Sequence, residues 1–194
     1  MFVSKTFKDA YGADVQRFMP NMMRVRDKQM QYKSVMGYRE ASKEQLYLEY
    51  YLDEPIEQSI SRYLGYPVER SKIVEVGNLA DASPGDARMA IIGATSYFYK
   101  AGFRWVVFTG VRRLRNAFLK LGLSPKELME ADERRLPASD VEQWGSYYSG
   151  DPVVCFGSLE DGHRNLQELW ENMRDTWATA AEAGENEAIT RKQA

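Results

Sequence analysis

Apolar positions recur along this chain with two different periods. In residues 161–180, Leu166, Leu169, Trp170, Met173 and Trp177 fall at helical spacing and form one stripe, with Asp161 placed to cap the helix. The same period predicts a helix through Val15, Phe18, Met19 and Met22, kinked or restarted at Pro20. A further helix over 54–64 has Ile56, Ile60, Tyr63 and Leu64 on its apolar face. Asp53 caps it, Pro55 sits in its first turn, and Gly65 stops it. Another follows Ser83 as N-cap and Pro84, running through Met89, Ile92, Ala94 and Tyr97 up to Gly102. A short one carries Leu114, Ala117, Phe118 and Leu121 and is closed by Gly122. Strands are expected at 31–39, 72–80, 104–110 and 152–157, while 46–52 reads either way. Residues 105–108 are apolar on both parities, as in a strand covered on both faces. The strand–helix–strand–helix order from 72 to 121 predicts parallel pairing at the centre of a mixed sheet. The fold class is therefore α/β (α+β). One domain is expected over 1–180, with 181–194, poor in large apolar residues, as a flexible tail.

Composition narrows the chemistry. The 194 residues are 44% hydrophobic, 28% charged and 12% aromatic, enough for one core and too aromatic for a disordered chain. A net charge of −2 gives no general attraction to nucleic acid. Cys155 and His163 are the single cysteine and histidine, which excludes an internal disulfide and a Cys/His zinc site. A Ser-His-Asp triad would depend on His163 alone. Cys155, inside PVVCFG, reads as a small buried apolar residue, and His163 as a surface residue in the first turn of a helix. No segment reaches the ~18 uncharged apolar residues that span a bilayer, and the N-terminus lacks a signal-type apolar region. A cytoplasmic protein without integral membrane segment or metal is expected. Its chemistry must run on carboxylates, tyrosines, arginines and backbone amides.

Four blocks carry a family resemblance: LYLEYYLDEPIE (46–57), SKIVEVGNLA (71–80), RWVVFTGVRRLRNAFLKLGL (104–123) and WGSYYSGDPVV (144–154). Over roughly residues 7–160 the chain resembles the thermostable hemolysins. That family is similar in turn to the GNAT acyltransferase fold. The strand KIVEVGNLA is similar to the one that carries a Glu-x-Ser-Arg motif in acyl-homoserine-lactone synthases.

Glu75 faces away from Val74 and Val76, towards the side shared with Ile73 and Gly77. A carboxylate inside a central strand is costly to bury unless it is paired or hydrogen-bonded. The resemblance implies a general base that deprotonates an acceptor amine; the alternative is a structural partner for an arginine. The GNAT likeness further implies that two central strands part after this point. Gly77, Asn78, Leu79 and Ala80 would then present backbone groups to a donor's pantetheine arm. The next loop, DASPGDAR, departs from the family's Arg/Gln-x-x-Gly-x-Gly/Ala pyrophosphate cradle. Asp86 would repel a phosphate there and Arg88 alone would attract it, so a carrier-protein donor fits better than tightly held coenzyme A.

Phe118 stands where many GNAT enzymes carry a proton-donating tyrosine, which leaves Tyr147 and Tyr148 as substitutes. Arg112, Arg113 and Arg115, with Asn116, follow a buried-type strand. They read either as donor-phosphate or carrier contacts or as a solvated helix face. Glu49, Asp53 and Trp144 are candidates for the acceptor side, Asp53 having a competing role as cap.

The implied activity is N-acyl transfer from a thioester, acyl-CoA or acyl-carrier protein, to the amine of a small acceptor such as an amino acid derivative. No cofactor is bound beyond that co-substrate. Two alternatives stay open: a non-enzymatic, membrane-active protein, as the hemolysin name suggests, and a transferase using an aminoacyl-tRNA donor. Glu168, Glu171 and Asp175 lie opposite the 161–180 stripe, so the stripe is read as core packing rather than a membrane-seeking face.

Overall fold

The computed structural model describes residues 2–26, 29–82 and 85–193. Among these residues one mixed sheet is formed by β1 (Asn21–Arg26), β2 (Tyr32–Glu40), β3 (Ile73–Asp81), β4 (Trp105–Gly110), β5 (Lys126–Glu130) and β6 (Val153–Ser158). Their spatial order is β1-β2-β3-β4-β6-β5. The helices are α1 (Phe2–Tyr11), α2 (Ile56–Leu64), α3 (Asp86–Lys100), α4 (Arg112–Leu119), α5 (Ala138–Val141) and α6 (Leu159–Gln193). As expected, β3 and β4 run parallel at the centre, while the other neighbours pair antiparallel.

The double-sided apolar character of β4 is used in full. Val107 enters a core with Leu48, Ile56, Ile60 and Phe156 on one face of the sheet. Phe108 enters a second core with Val74, Ala94, Phe98 and Leu159 on the other. Cys155 is fully buried in that second core, and burial pushes its thiol up to about 12, so it serves packing rather than nucleophilic attack. His163 is half-buried rather than on the surface, stacked on Tyr99 with ring centroids 4.6 Å apart.

Several sequence expectations are corrected. The helix expected through Val15 and Met22 is absent: residues 12–20 are irregular, and Met22 lies in β1 just beyond Pro20. The N-terminal helix lies earlier, in α1, where Val3 and Phe7 are the buried positions. Residues 47–51 of the ambiguous segment form a 3-10 turn, Tyr47–Tyr51. Asp53 does not cap α2. Its carboxylate pairs with Arg135, and the first amide of α2, Ile56 N–H, donates instead to Glu49 Oε1 at 3.0 Å. Helix α3 begins with Gly85 in the cap position; the expected Ser83 cap and Pro84 lie outside the described residues.

The largest difference concerns α6. Ser158 Oγ, not Asp161, caps its start, accepting the Asp161 N–H at 3.1 Å. The helix continues through 181–193, beyond the 161–180 segment marked by the stripe. Leu166 packs with Ile91, Leu121 and Leu123, but positions 167–184 are all exposed. Trp170 is 66% exposed and Trp177 79%, so the stripe beyond Leu166 is not core. The reason is geometric: Leu166 marks the last buried position of α6, and 1.5 Å of rise per residue carries the later turns beyond that contact. Among the described residues no helix is long and apolar enough to cross a membrane.

Candidate active site

The parallel pairing of β3 and β4 lasts for three residue pairs and ends at Glu75↔Val107. Beyond it β3 stays with β2 as far as Asp81↔Ser34, and β4 stays with β6 as far as Gly110↔Val153. The two central strands therefore diverge, and a cavity of about 510 Å³ opens at the fork. Its walls come from both faces of the sheet. Glu75, Tyr47, Tyr51 and Trp144 belong to one side, and Val76, Phe108, Leu114 and Phe118 to the other.

Glu75 sits in the crotch of this fork, 3% exposed. Its Oε2 accepts the Tyr47 N–H and its Oε1 the Leu48 N–H, both at 2.9 Å, so the carboxylate fastens the start of the 3-10 turn. Arg39 Nε lies 3.4 Å from Oε2. Desolvation dominates its titration and pushes the carboxyl up to about 7; Arg39 and the two amides pull downward, and the charge of Glu49 adds to the rise. Glu75 thus has an arginine partner and also faces the cavity, with its carboxyl raised by burial.

The register between β2 and β3 slips here. Val35 pairs with Ala80 but Gly37 with Gly77, so β3 carries an extra residue. Asn78 occupies that bulge at φ 49°, a left-handed conformation that asparagine tolerates better than most residues. Its Oδ1 accepts the Met19 N–H at 2.9 Å, tying the irregular 12–20 segment across the sheet. Met19 fills the space over Gly77, where a Cβ would lie 2.6 Å from its Cε. Gly77, Asn78 and Leu79 line the cavity; Ala80 does not.

Of the basic residues singled out in the sequence, only Arg113 lines the cavity, 3.6 Å from Asp81. Arg112 is exposed and pairs with Asp151 at 2.9 Å. Arg115 is committed to structure: it donates to Gly110 O at 2.7 Å and Asp151 O at 2.8 Å and pairs with Glu127 at 3.0 Å. Arg88 and Asn116 are exposed away from the cavity wall. Glu49 and Asp53 do not reach the cavity either. Glu49 is the hub of a separate knot, bonded to Leu46 N–H at 2.9 Å, Ile56 N–H at 3.0 Å and Arg70 at 2.6 Å. Burial opposes its ionisation, yet hydrogen bonds from Arg70 and the two amides hold it below the ordinary carboxylate value.

The aromatic candidates divide. Tyr147 and Trp144 line the cavity; Tyr148 does not, its hydroxyl lying 2.6 Å from that of Tyr51. Tyr147 OH donates to Thr109 O at 3.2 Å, beside the open edge of β4, and burial pushes its pKa well above the usual tyrosine value. Phe118 is stacked on Phe108 with centroids 4.7 Å apart, an apolar wall where a proton donor was sought.

Among the cavity residues not singled out from the sequence are the polar side chains of Arg39, Tyr47 and Asp140. Asp140 is 2% exposed and accepts from Tyr47 OH and Arg17 Nη1, each at 3.4 Å; Trp144 Nε1 donates to the same tyrosine oxygen at 3.1 Å. The block LYLEYY marked Tyr47 as belonging to a shared segment. Asp140 and Arg39 carry no local signal, because they reach the cavity only through the fold.

Comparison with solved structures finds a similar fold in several acyl synthases. FeeM, an N-acyl amino acid synthase from uncultured soil microbes, superposes with a TM-score of 0.54 at 11% identity, over 84% of this chain and 90% of its own. The acyl-homoserine-lactone synthase LasI gives 0.53 at 11% identity, over 81% and 79%. MesI, a CoA-dependent acyl-homoserine lactone synthase, gives 0.51 at 13% identity, over 81% and 73%. At such identities the likeness shows the GNAT-like fold, a mixed sheet flanked by helices. No curated protein matches the sequence. The sequence itself is more specific: residues 1–163 match the family described as thermostable hemolysin, and the chain belongs to that family.

Proposed function

We propose that this protein is an N-acyltransferase that moves an acyl group from a thioester donor to the amine of a small acceptor. The observation that carries this reading is the fork between β3 and β4 with Glu75 at its base, because a carboxylate poised near neutral pH can accept an amine's proton. The acceptor nitrogen attacks the thioester carbonyl carbon and Glu75 takes its proton. Amides at the Asn78 bulge stabilise the oxyanion. The C–S bond then breaks, and Glu75 returns the proton it took from the amine to the departing thiolate, while the Tyr147 hydroxyl stays hydrogen-bonded to Thr109 O. The apolar side of the cavity, with Val76, Leu114 and the stacked Phe108 and Phe118, suits an acyl chain. Arg113 at the rim is left as the donor-phosphate or carrier contact. FeeM and MesI, being acyl synthases of this fold, support the reaction class. The test is a mass-spectrometric screen for acylated amines, with octanoyl-CoA and octanoyl-carrier protein offered against an amine library. One free thiol should appear per acylated amine; thioesters left intact across the screen would sink the proposal.

A second reading keeps the membrane-active alternative, and the exposed stripe of α6 favours it. Trp170, Met173 and Trp177 are solvent-facing side chains of the kind that enter a lipid interface. Glu168, Glu171 and Asp175 oppose binding to anionic lipid. Dye leakage from neutral vesicles that is abolished by Trp170→Ser with Trp177→Ser would support this role, and intact vesicles would exclude it.

A further inference from the structure

We infer that the acceptor is a free amino acid, held by its carboxylate on Arg39 while Glu75 receives its amine; this rests on the acyl-transfer reading above. Three arginines line the cavity. Arg17 and Arg113 are rim residues with side chains 70% and 74% exposed, each answered by an aspartate at 3.4 or 3.6 Å. Arg39 is different. Its side chain is 16% exposed, so little of its charge is met by water.

A buried guanidinium needs acceptors for a planar fork of five N–H groups. Arg39 Nη1 makes two long contacts, to Glu44 Oε2 and Gln45 O, both at 3.3 Å. Its Nε is buried without a hydrogen-bond partner, although Glu75 Oε2 stands 3.4 Å away. Glu75 already accepts two backbone amides at 2.9 Å, so its geometry serves the 3-10 turn first and the guanidinium second. The cavity wall therefore presents an under-satisfied cation directly beside a carboxylate.

An amino acid is the complement of that pair. Its ammonium and carboxylate sit a few ångströms apart with opposite signs, matching Glu75 and Arg39 in order. A carboxylate meeting the cavity-lining part of Arg39 would add a charge-assisted bond to a guanidinium whose own contacts are all 3.3–3.4 Å long. Deprotonation of the amine neutralises Glu75, leaving the substrate's carboxylate and Glu44 as the negative charges on Arg39, so the substrate is held most firmly as its nitrogen becomes nucleophilic. An amine without a carboxylate would leave Arg39 with only its long contacts to Glu44, Gln45 and Glu75, the kind of loss by which polar sites reject analogues.

The test reads binding rather than turnover. N-octanoyl-leucine, N-octanoyl-leucinamide and N-octanoyl-isoamylamine share the acyl chain and differ at the carboxylate. Calorimetry on the full chain should show the acid binding roughly 10- to 100-fold tighter than the other two, the usual worth of a hydrogen bond to a charged group. Arg39→Met should abolish that preference, and Arg39→Lys should keep part of it. Coenzyme A binding should be the same in wild type and Arg39→Met; a parallel loss would assign Arg39 to the donor's phosphates and overturn the inference. Equal binding of the three amides to the wild-type protein would also overturn it, while leaving acyl transfer intact. Should the acylation screen succeed only with amines that lack a carboxylate, the inference fails and the reaction class stands. Should none of the amides bind and no thioester be consumed, both fall together.

Discussion

Two glutamate–arginine pairs lie a short distance apart, and they behave in opposite ways. Glu49 with Arg70 and Glu75 with Arg39 are both largely removed from water, and both carboxylates accept two backbone amides. Around Glu49 the guanidinium is close, 2.6 Å, and bonded through both Nη1 and Nη2; Glu57 shares it at 2.7 Å. The carboxyl is held below its ordinary value. Around Glu75 the guanidinium stands off at 3.4 Å without a hydrogen bond, and the carboxyl rises to about 7. Burial is the largest upward influence at both sites. What differs is how completely the partner answers it. A carboxylate locked by a full set of donors is a structural knot, and one left short of donors beside a cavity retains a usable proton affinity.

The sharpest way to break this contrast is Glu75→Gln. On the acyl-transfer reading, turnover of the folded enzyme should fall roughly 10²–10⁴-fold, the worth of a positioned base. The wild-type rate should rise with pH through about 7, and the loss in the mutant should shrink at higher pH. The same site gives a stability signature. The folded carboxyl titrates near 7 against an ordinary value of 4.5, so its contribution is full below 4.5 and is lost as pH rises through 7. That amounts to about 3 kcal/mol between pH 4 and 8. Denaturant midpoints of wild type should therefore fall relative to those of the non-titrating Glu75→Gln as pH rises. Full turnover in the mutant's folded fraction would remove Glu75 from the mechanism.

The next largest effect is expected at the knot. Arg70→Met leaves Glu49 buried without its cation and should cost about 3 kcal/mol of stability, while the folded fraction keeps its affinity for N-octanoyl amides. Glu49 has the opposite pH sign to Glu75: its contribution is present above the ordinary carboxylate value and is lost on acidification. Urea melts at pH 4 and pH 7 should show the mutant's deficit at pH 7 and a smaller one at pH 4. A deficit that grows on acidification would contradict the assignment.

Smaller still, Asn78→Ala removes the Met19 tether and places alanine at a left-handed position, for about 1–2 kcal/mol. Binding of N-octanoyl-leucine should weaken as well, because the segment that roofs the cavity is freed. Unchanged affinity would detach that segment from the site. At the far end of the scale, Trp177→Lys on α6 should shift stability by less than about 0.5 kcal/mol, as expected for a side chain already in water. A large loss would mean that α6 packs against something.

Much of the sheet could be read from the chain, because β3, β4 and β6 carry apolar runs and β2 centres on Val35 and Met36. The elements missed are those whose sequences carry little periodic signal. β5 reads KELME, an edge strand with charged ends; β1 follows a proline and mixes arginine with methionine; α1 shows only Val3 and Phe7 as anchors. In the site, Glu75 was legible because a carboxylate amid valines demands an explanation. The distribution of tasks around it was not. Glu49 and Arg115 are occupied by backbone amides and carbonyls that no local sequence signal announces, and Arg39 reaches the site only through the pairing of β2 with β3. The stripe on α6 misled for a related reason: periodicity reports that one side of a helix is apolar, without reporting whether anything covers it.

The roof of the cavity also has a consequence for the order of assembly. Met19 docks on Asn78, fifty-nine residues later, and the Tyr11 carbonyl receives the Ser146 N–H across a wider separation. Gly145 makes that second contact possible, since a Cβ there would lie 2.2 Å from Tyr11 O. The stretch around residues 7–19 is synthesised before Asn78 and Ser146, so it must wait for both partners to find its place. Until it does, the nascent sheet presents an open apolar trough, which is the interval in which a slow step of synthesis or a chaperone would have most influence on yield.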